Sequence, residues 1–126
     1  MNYLGIDWGK KRIGLALADN ETQLALPFKV VNYLSEVLEI IKKENVDIIV
    51  LGKPLKLSNE EFLDPDFNNF YKALQKNTDK KIVLIDERFS TKAGTAYNAP
   101  EKLRADKDAL AACFILQSYL EQKKYE

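Results

Sequence analysis

After Asn32 the chain changes its period, and that change limits what it can fold into. Upstream of it, apolar residues recur at every second position. Residues 3–8 put Leu4, Ile6 and Trp8 on one face and Tyr3, Gly5 and Asp7 on the other, and residues 12–18 alternate Ile13, Leu15 and Leu17 with Gly14, Ala16 and Ala18. Such alternation marks half-buried strands. Gly9-Lys10-Lys11 lies between them and makes the turn. A third strand over 24–31 carries Pro27, which has no N–H to give a neighbour, so that stretch is expected at a sheet edge or a bulge. Downstream, Leu34, Val37, Leu38 and Ile41 fall at helical spacing in a segment ending near Glu44. Residues 46–51 read as a buried strand stopped by Gly52 and Pro54. A second helix is expected over 66–77, with Phe67, Phe70, Tyr71 and Leu74 as its stripe, and 82–85 form a further buried strand. Gly94 and Pro100 leave only a weak short helix over 91–97, and 98–107, with Lys102, Arg104 and Lys107, reads as a basic loop. From Asp106 to about Gln122 the pattern is helical and apolar almost all round through 109–116, so that helix is expected to be mostly buried.

The resulting order, βββαβαβα, is an antiparallel meander followed by βαβ units, which places the chain in the α/β class with right-handed crossovers. In such sheets the functional crevice lies at the carboxyl ends of the parallel strands. With 126 residues the chain has the length of one domain. Lysine plus arginine and aspartate plus glutamate balance at 19 each, so a nucleic-acid partner must be held by a local patch rather than by a global field. The one cysteine, Cys113, excludes an internal disulfide and a zinc cluster, and its apolar helical setting makes it buried filler. No apolar run approaches the roughly 20 residues that span a bilayer, and Met1 does not lead into a signal-peptide pattern. A soluble cytoplasmic protein without a membrane partner is expected; the sequence does not specify an oligomeric state.

The chain contains no histidine, which removes the commonest general base and the commonest transition-metal ligand. Serine-histidine and cysteine-histidine mechanisms are excluded. A hydrolase built from this chain must activate water with carboxylates, a lysine or a hard metal ion on oxygen ligands.

Three acids sit where elements end. Asp7 closes the first strand, Glu87 follows the last buried strand, and Asp108 falls in the first turn of the final helix. Desolvating an unpaired carboxylate at the edge of a core is costly, so each of these needs a partner. The small residues Gly5, Gly14, Ala16 and Ala18 on the hairpin and Ala111 and Ala112 on the helix give two surfaces able to approach closely, and packing them together brings Asp108 near Asp7. Crowded carboxylates repel unless a cation compensates them. Oxygen-only ligands suit one or two Mg²⁺ or Mn²⁺ ions, and a pair about 3.5–4 Å apart activates water and stabilises the leaving oxygen of a phosphodiester. Lys10, Lys11, Arg12 and Arg88 are the candidate phosphate contacts.

Each residue also has an ordinary structural role open to it. Asp108 can complement the positive end of its helix, Asp7 can pair with Arg12 or a nearby lysine, and Glu87 can pair with Arg88 or sit in solvent. Ser90 and Thr91 can cap a helix. Gly52-Lys53-Pro54 lacks the glycine density of a phosphate-binding loop.

Four segments in series, Leu4-Gly5-Ile6-Asp7-Trp8-Gly9-Lys10-Lys11-Arg12-Ile13-Gly14, Ile49-Val50-Leu51-Gly52-Lys53-Pro54-Leu55, Asp86-Glu87-Arg88-Phe89-Ser90-Thr91 and Asp108-Ala109-Leu110-Ala111-Ala112 with Ile115-Leu116-Gln117-Ser118-Tyr119-Leu120, resemble the YqgF (RuvX) family. That resemblance implies an RNase H-like fold with a mixed five-stranded sheet flanked by helices. It implies a metal-dependent nuclease acting on pre-16S rRNA in ribosome biogenesis, or on branched DNA as a Holliday junction resolvase. It also implies that Asp7, Glu87 and Asp108 are the acidic metal-binding, catalytic residues, and it leaves Lys10, Lys11, Arg12, Arg88, Ser90 and Thr91 to contact nucleic acid. Family members carry a glycine several residues after the Gly-x-Pro turn, whereas the next glycine after Gly52 here is Gly94, so 56–64 is expected to form an altered loop. Ser90 stands where a threonine is common. A non-catalytic nucleic-acid-binding or ribosome-assembly factor on the same fold is the alternative left open.

Overall fold

The computed structural model describes residues 1–54, 65–86 and 104–124, with the backbone alone for 104–106 and 124. Eight elements follow one another: β1 (Asn2–Asp7), β2 (Ile13–Asp19), β3 (Leu26–Val31), α1 (Leu34–Lys43), β4 (Ile48–Lys53), α2 (Pro65–Asn77), β5 (Lys81–Asp86) and α3 (Arg104–Lys124). They form one five-stranded sheet in the order β3-β2-β1-β4-β5. β1 pairs antiparallel with β2 and parallel with β4, and β4 pairs parallel with β5, so β1 is the central strand where the meander meets the βαβ half.

Each face of the sheet carries its own core because strand side chains alternate. Leu4, Ile6, Ile49 and Leu51 face α1 and α2, packing on Val37, Ile40 and Ile41 of the former and Phe67, Phe70 and Leu74 of the latter. Tyr3, Ala16, Ala18, Val50 and Ile85 face α3, packing on Ala112, Ile115, Leu116 and Leu120. Small residues on this second face let α3 lie close to the strands. A Cβ on Gly5 would fall 2.7 Å from Leu116 Cβ and 2.8 Å from the Ala112 carbonyl oxygen, so only glycine fits under the helix there.

Pro27 does lie at an edge. β3 has β2 as its one neighbour, and the register slips between Leu15 and Ala16, so that Lys29 and Pro27 oppose them and Phe28 is extra. α1 begins with the Glu36 carboxylate accepting the backbone N–H groups of Asn32 and Tyr33 at 3.1 Å each. It ends with Asn45 in the left-handed region at φ 51°, and with Asn45 and Val46 donating to the Lys42 and Ile41 carbonyls. That is the Schellman geometry, with asparagine where glycine is commonest.

Element ends depart from the sequence reading in several places: β1 stops at Asp7 rather than 8, β3 starts at Leu26 rather than 24, and β4 runs through Gly52 to Lys53 instead of stopping at Gly52. β4 starts at Ile48 rather than at 46, because Val46 serves the end of α1. β5 was expected to be buried, but it is the other edge of the sheet, and Leu84 is 38% exposed. α3 starts at Arg104 rather than Asp106, so Arg104 and Lys107 are helical and not part of a loop. Its burial is confined to one face, at Ala109, Ala112, Ile115, Leu116 and Leu120, with Leu110, Cys113 and Phe114 half-buried. The expected short helix over 91–97, the altered loop over 56–64 and the loop residues 98–103 lie outside the described residues. Among the described residues no helix is long and apolar enough to cross a membrane.

Candidate metal centre

β1 ends on Asp7, half-buried at the carboxyl edge of the central strand. Its partner across the antiparallel ladder is Gly14. Directly opposed residues in such a pair project to the same face, and for Asp7 that is the α3 side, two positions beyond Gly5. A Cβ placed on Gly14 would collide with the carbonyl of Asp108, its nearest atom, and lie 2.9 Å from the backbone nitrogen of Ala109. The start of α3 therefore rests on the strand position next to Asp7, and the two acids share one rim. Asp108 lies four positions past Arg104, beyond the first turn of α3. Complementing the helix dipole, an effect confined to that first turn, does not account for it.

The turn between β1 and β2 is tied on three sides. Lys10 Nζ reaches Asp66 Oδ2 at 3.3 Å, in the first turn of α2. The Lys11 carbonyl accepts the Asn32 side-chain amide at 2.9 Å. Arg12 Nε lies 2.8 Å from Asp108 Oδ2. Trp8, just before the turn, packs on Phe67 and Phe70 of α2 with ring centroids 5.7 and 6.3 Å apart. Arg12 thus pairs with Asp108, whereas the sequence suggested Arg12 or a nearby lysine as a partner for Asp7. Asp66 as the partner of Lys10 is not evident from sequence; an acid in the first turn of a helix whose aromatic stripe meets Trp8 is the signal available.

The Arg12–Asp108 contact is close but not directional. Oδ2 is buried and receives no hydrogen bond of acceptable geometry among the described residues, although the guanidinium nitrogen is within 2.8 Å. The distance fixes a charge contact, and the angle fails to make it a hydrogen bond. A buried carboxylate oxygen without an aligned donor, set on the same rim as a second acid, is an environment that a hard divalent cation satisfies. The donor set of Asp7 and Asp108 therefore fits Mg²⁺ or Mn²⁺.

Glu87, Arg88, Ser90 and Thr91 lie outside the described residues. Asp86, the residue before them, ends β5 in register with Lys53 at the end of β4. Among the described residues no three of the acids and Cys113 gather as a metal site.

The family model of RuvX, described as Holliday junction resolvase, matches residues 1–122. The chain belongs to the RuvX family. A relative from Maridesulfovibrio salexigens, named "Putative pre-16S rRNA nuclease", is 38% identical, with 95% of this chain and 98% of the relative covered. One of the same name from Malacoplasma penetrans is 37% identical, covering 96% and 94%. Among solved structures, Thermus thermophilus RuvC in complex with a Holliday junction substrate aligns with a TM-score of 0.66 over 98% of this chain and 96% of that one, at 14% identity. Fowlpox virus resolvase with Holliday junction DNA aligns with a TM-score of 0.57 at 16% identity, covering 98% and 99%. At these identities the likeness is one of fold, and the fold is RNase H-like. The RuvX match runs from β1 into α3 and so includes Asp7, Arg12, Gly14 and Asp108.

Proposed function

We propose that this RuvX-family chain is a divalent-metal-dependent nuclease that hydrolyses phosphodiester bonds in structured RNA, trimming the 5′ end of pre-16S rRNA in the cytoplasm during ribosome biogenesis. The observation that carries this is the buried Asp108 Oδ2, lacking an aligned donor, on the rim that Asp7 occupies at the carboxyl end of the central strand. The names of the relatives from two bacteria support RNA as the substrate.

Asp7, Asp108 and Glu87 would hold Mg²⁺ or Mn²⁺. When bound, such an ion supplies an activated water and neutralises charge on the phosphate. The residues of the chain itself position the reaction. Asp7 and Asp108 stand on backbone that is held in place, one by the sheet ladder and the other by α3 resting on Gly14, which limits the reorganisation needed to bind an ion. Lys10, Lys11, Arg12 and Arg88 sit on segments bordering the acids in sequence and neutralise flanking phosphates, while Ser90 and Thr91 offer hydroxyl donors. Without histidine, proton transfer falls to carboxylate and solvent.

Branched DNA is the second reading, favoured by the description of the RuvX family as Holliday junction resolvase. One experiment tests both. A pre-16S rRNA fragment and a four-way DNA junction are incubated side by side with Mn²⁺ and either wild-type protein or Asp108→Asn. Cleavage of the RNA, reduced at least ~100-fold by the substitution, is the expected result. Preferential cleavage of the junction selects the second reading. Cleavage of neither sinks the nuclease and favours a non-catalytic binding factor.

A further inference from the structure

We propose that Arg12 is an internal counter-cation for Asp108 which a divalent ion displaces, so that metal binding and the Arg12–Asp108 pair are mutually exclusive. The proposal rests on the reading of Asp7 and Asp108 as metal ligands and adds a competitor that the chain itself supplies.

Four observations lead to it. Arg12 Nε sits 2.8 Å from Asp108 Oδ2, where a cation bound by that oxygen would compete for it. The same oxygen is buried without a directional hydrogen bond, so the guanidinium offsets its charge without locking it. The Arg12 side chain is 56% exposed against 26% for Asp108, so arginine can swing into water while the acid stays in place. The backbone on either side is held: the Lys11 carbonyl accepts Asn32 Nδ2 at 2.9 Å, and Gly14 is wedged under the start of α3. Departure of Arg12 is therefore a change of side-chain rotamer, a fast event, and not a movement of the turn.

Charge arithmetic sets the direction. Without the metal, the guanidinium offsets the charge of Asp108; with it, a unit positive charge beside a divalent ion is repelled. An ion pair exposed on one side is weak enough to be displaced by an ion carrying twice the charge. Removing the competitor should therefore tighten metal binding, whereas loss of a purely structural strut would loosen the site and weaken it. The two roles predict opposite signs.

The test measures Mn²⁺ affinity from the spin-resonance signal of free Mn²⁺, together with thermal stability with and without the ion, for wild type, Arg12→Gln, Arg12→Met and Arg12→Lys. We expect the two neutral variants to bind Mn²⁺ about threefold to tenfold more tightly, a range set by the modest strength of exposed pairs. Their Tm should fall below wild type without metal and converge with it at saturating Mn²⁺. Arg12→Lys, which keeps the charge, should bind as wild type does. Unchanged or weaker Mn²⁺ binding by the neutral variants overturns the proposal, as does their remaining unfolded at saturating Mn²⁺. Absence of Mn²⁺ binding by the wild type is a distinguishable failure, since it removes the metal-site reading beneath the proposal.

Discussion

Gly14 has no room for a side chain because a backbone carbonyl of α3 stands where its Cβ would go. The obstructing atom is main chain on a long helix, so the clash cannot be relieved by a rotamer change. Gly14→Ala should therefore push the start of α3 off the sheet, at a cost of about 1–3 kcal/mol or more, and should weaken Mn²⁺ binding because Asp108 moves with the helix. Urea unfolding and a Mn²⁺ titration on the same preparation would check it; unaltered values in both would refute the close approach. A second residue, Asp19, closes β2 by accepting the backbone N–H groups of Glu21 and Thr22 at 3.0 and 2.8 Å and the Thr22 hydroxyl at 3.0 Å. These bonds, those of Thr22 foremost, hold its carboxyl below its ordinary value. A depressed folded pKa means that the stabilisation is present above the unfolded value of about 4 and is lost as pH falls through the folded value. The Tm gap between wild type and Asp19→Ala should be open at pH 7 and narrow below about pH 4; a gap independent of pH would count against it.

At the level of elements, the hairpin was legible because, although both of its faces are buried, large apolar residues on the α1 and α2 side alternate with small ones on the α3 side. Pro27 even located the edge. The ends of the other elements were less legible, and for identifiable reasons. Val46 looks like a strand residue but is used by the Schellman end of α1, and nothing in an apolar run shows which neighbour claims its first member. Arg104 and Lys107 read as loop because of Pro100 and the surrounding charge, whereas both belong to the helix. The edge position of β5 depends on strand order, which periodicity does not encode. Asn45 is the residue on which the turn from α1 to β4 depends, with its φ of 51° and its backbone carbonyl receiving the Asn2 side-chain amide at 3.3 Å. A left-handed residue with a Cβ that cannot bond locally costs about 1–2 kcal/mol. Asn45→Ala should lose about that much in denaturant unfolding, and Asn45→Gly should lose little.

Across the whole molecule, the approach of Asp108 to Asp7 could be inferred from sequence because two small-residue surfaces had to meet somewhere. Which base meets which acid could not: Lys10 turns to Asp66 on one side of the sheet and Arg12 to Asp108 on the other, a division set by the twist of one short turn. The balanced net charge is thus resolved locally, with cations placed beside acids at the rim where phosphates are proposed to bind.

The bulge at Pro27 bears on how one copy of the chain meets another. Around it Leu26 and Phe28 are 59 and 37% exposed on a strand with one side unpaired, and Leu24, just before that strand, is 55% exposed, the arrangement that invites molecules to join edge to edge. A residue without an N–H, set opposite a slipped register, interrupts the row of bonds that a second strand would need. Pro27→Thr should leave the monomer folded yet shorten the lag before fibrils form in a thioflavin assay; an unchanged lag would show that the proline is incidental. A residue far from any acid of the rim would then set how concentrated this protein can become before it starts to polymerise.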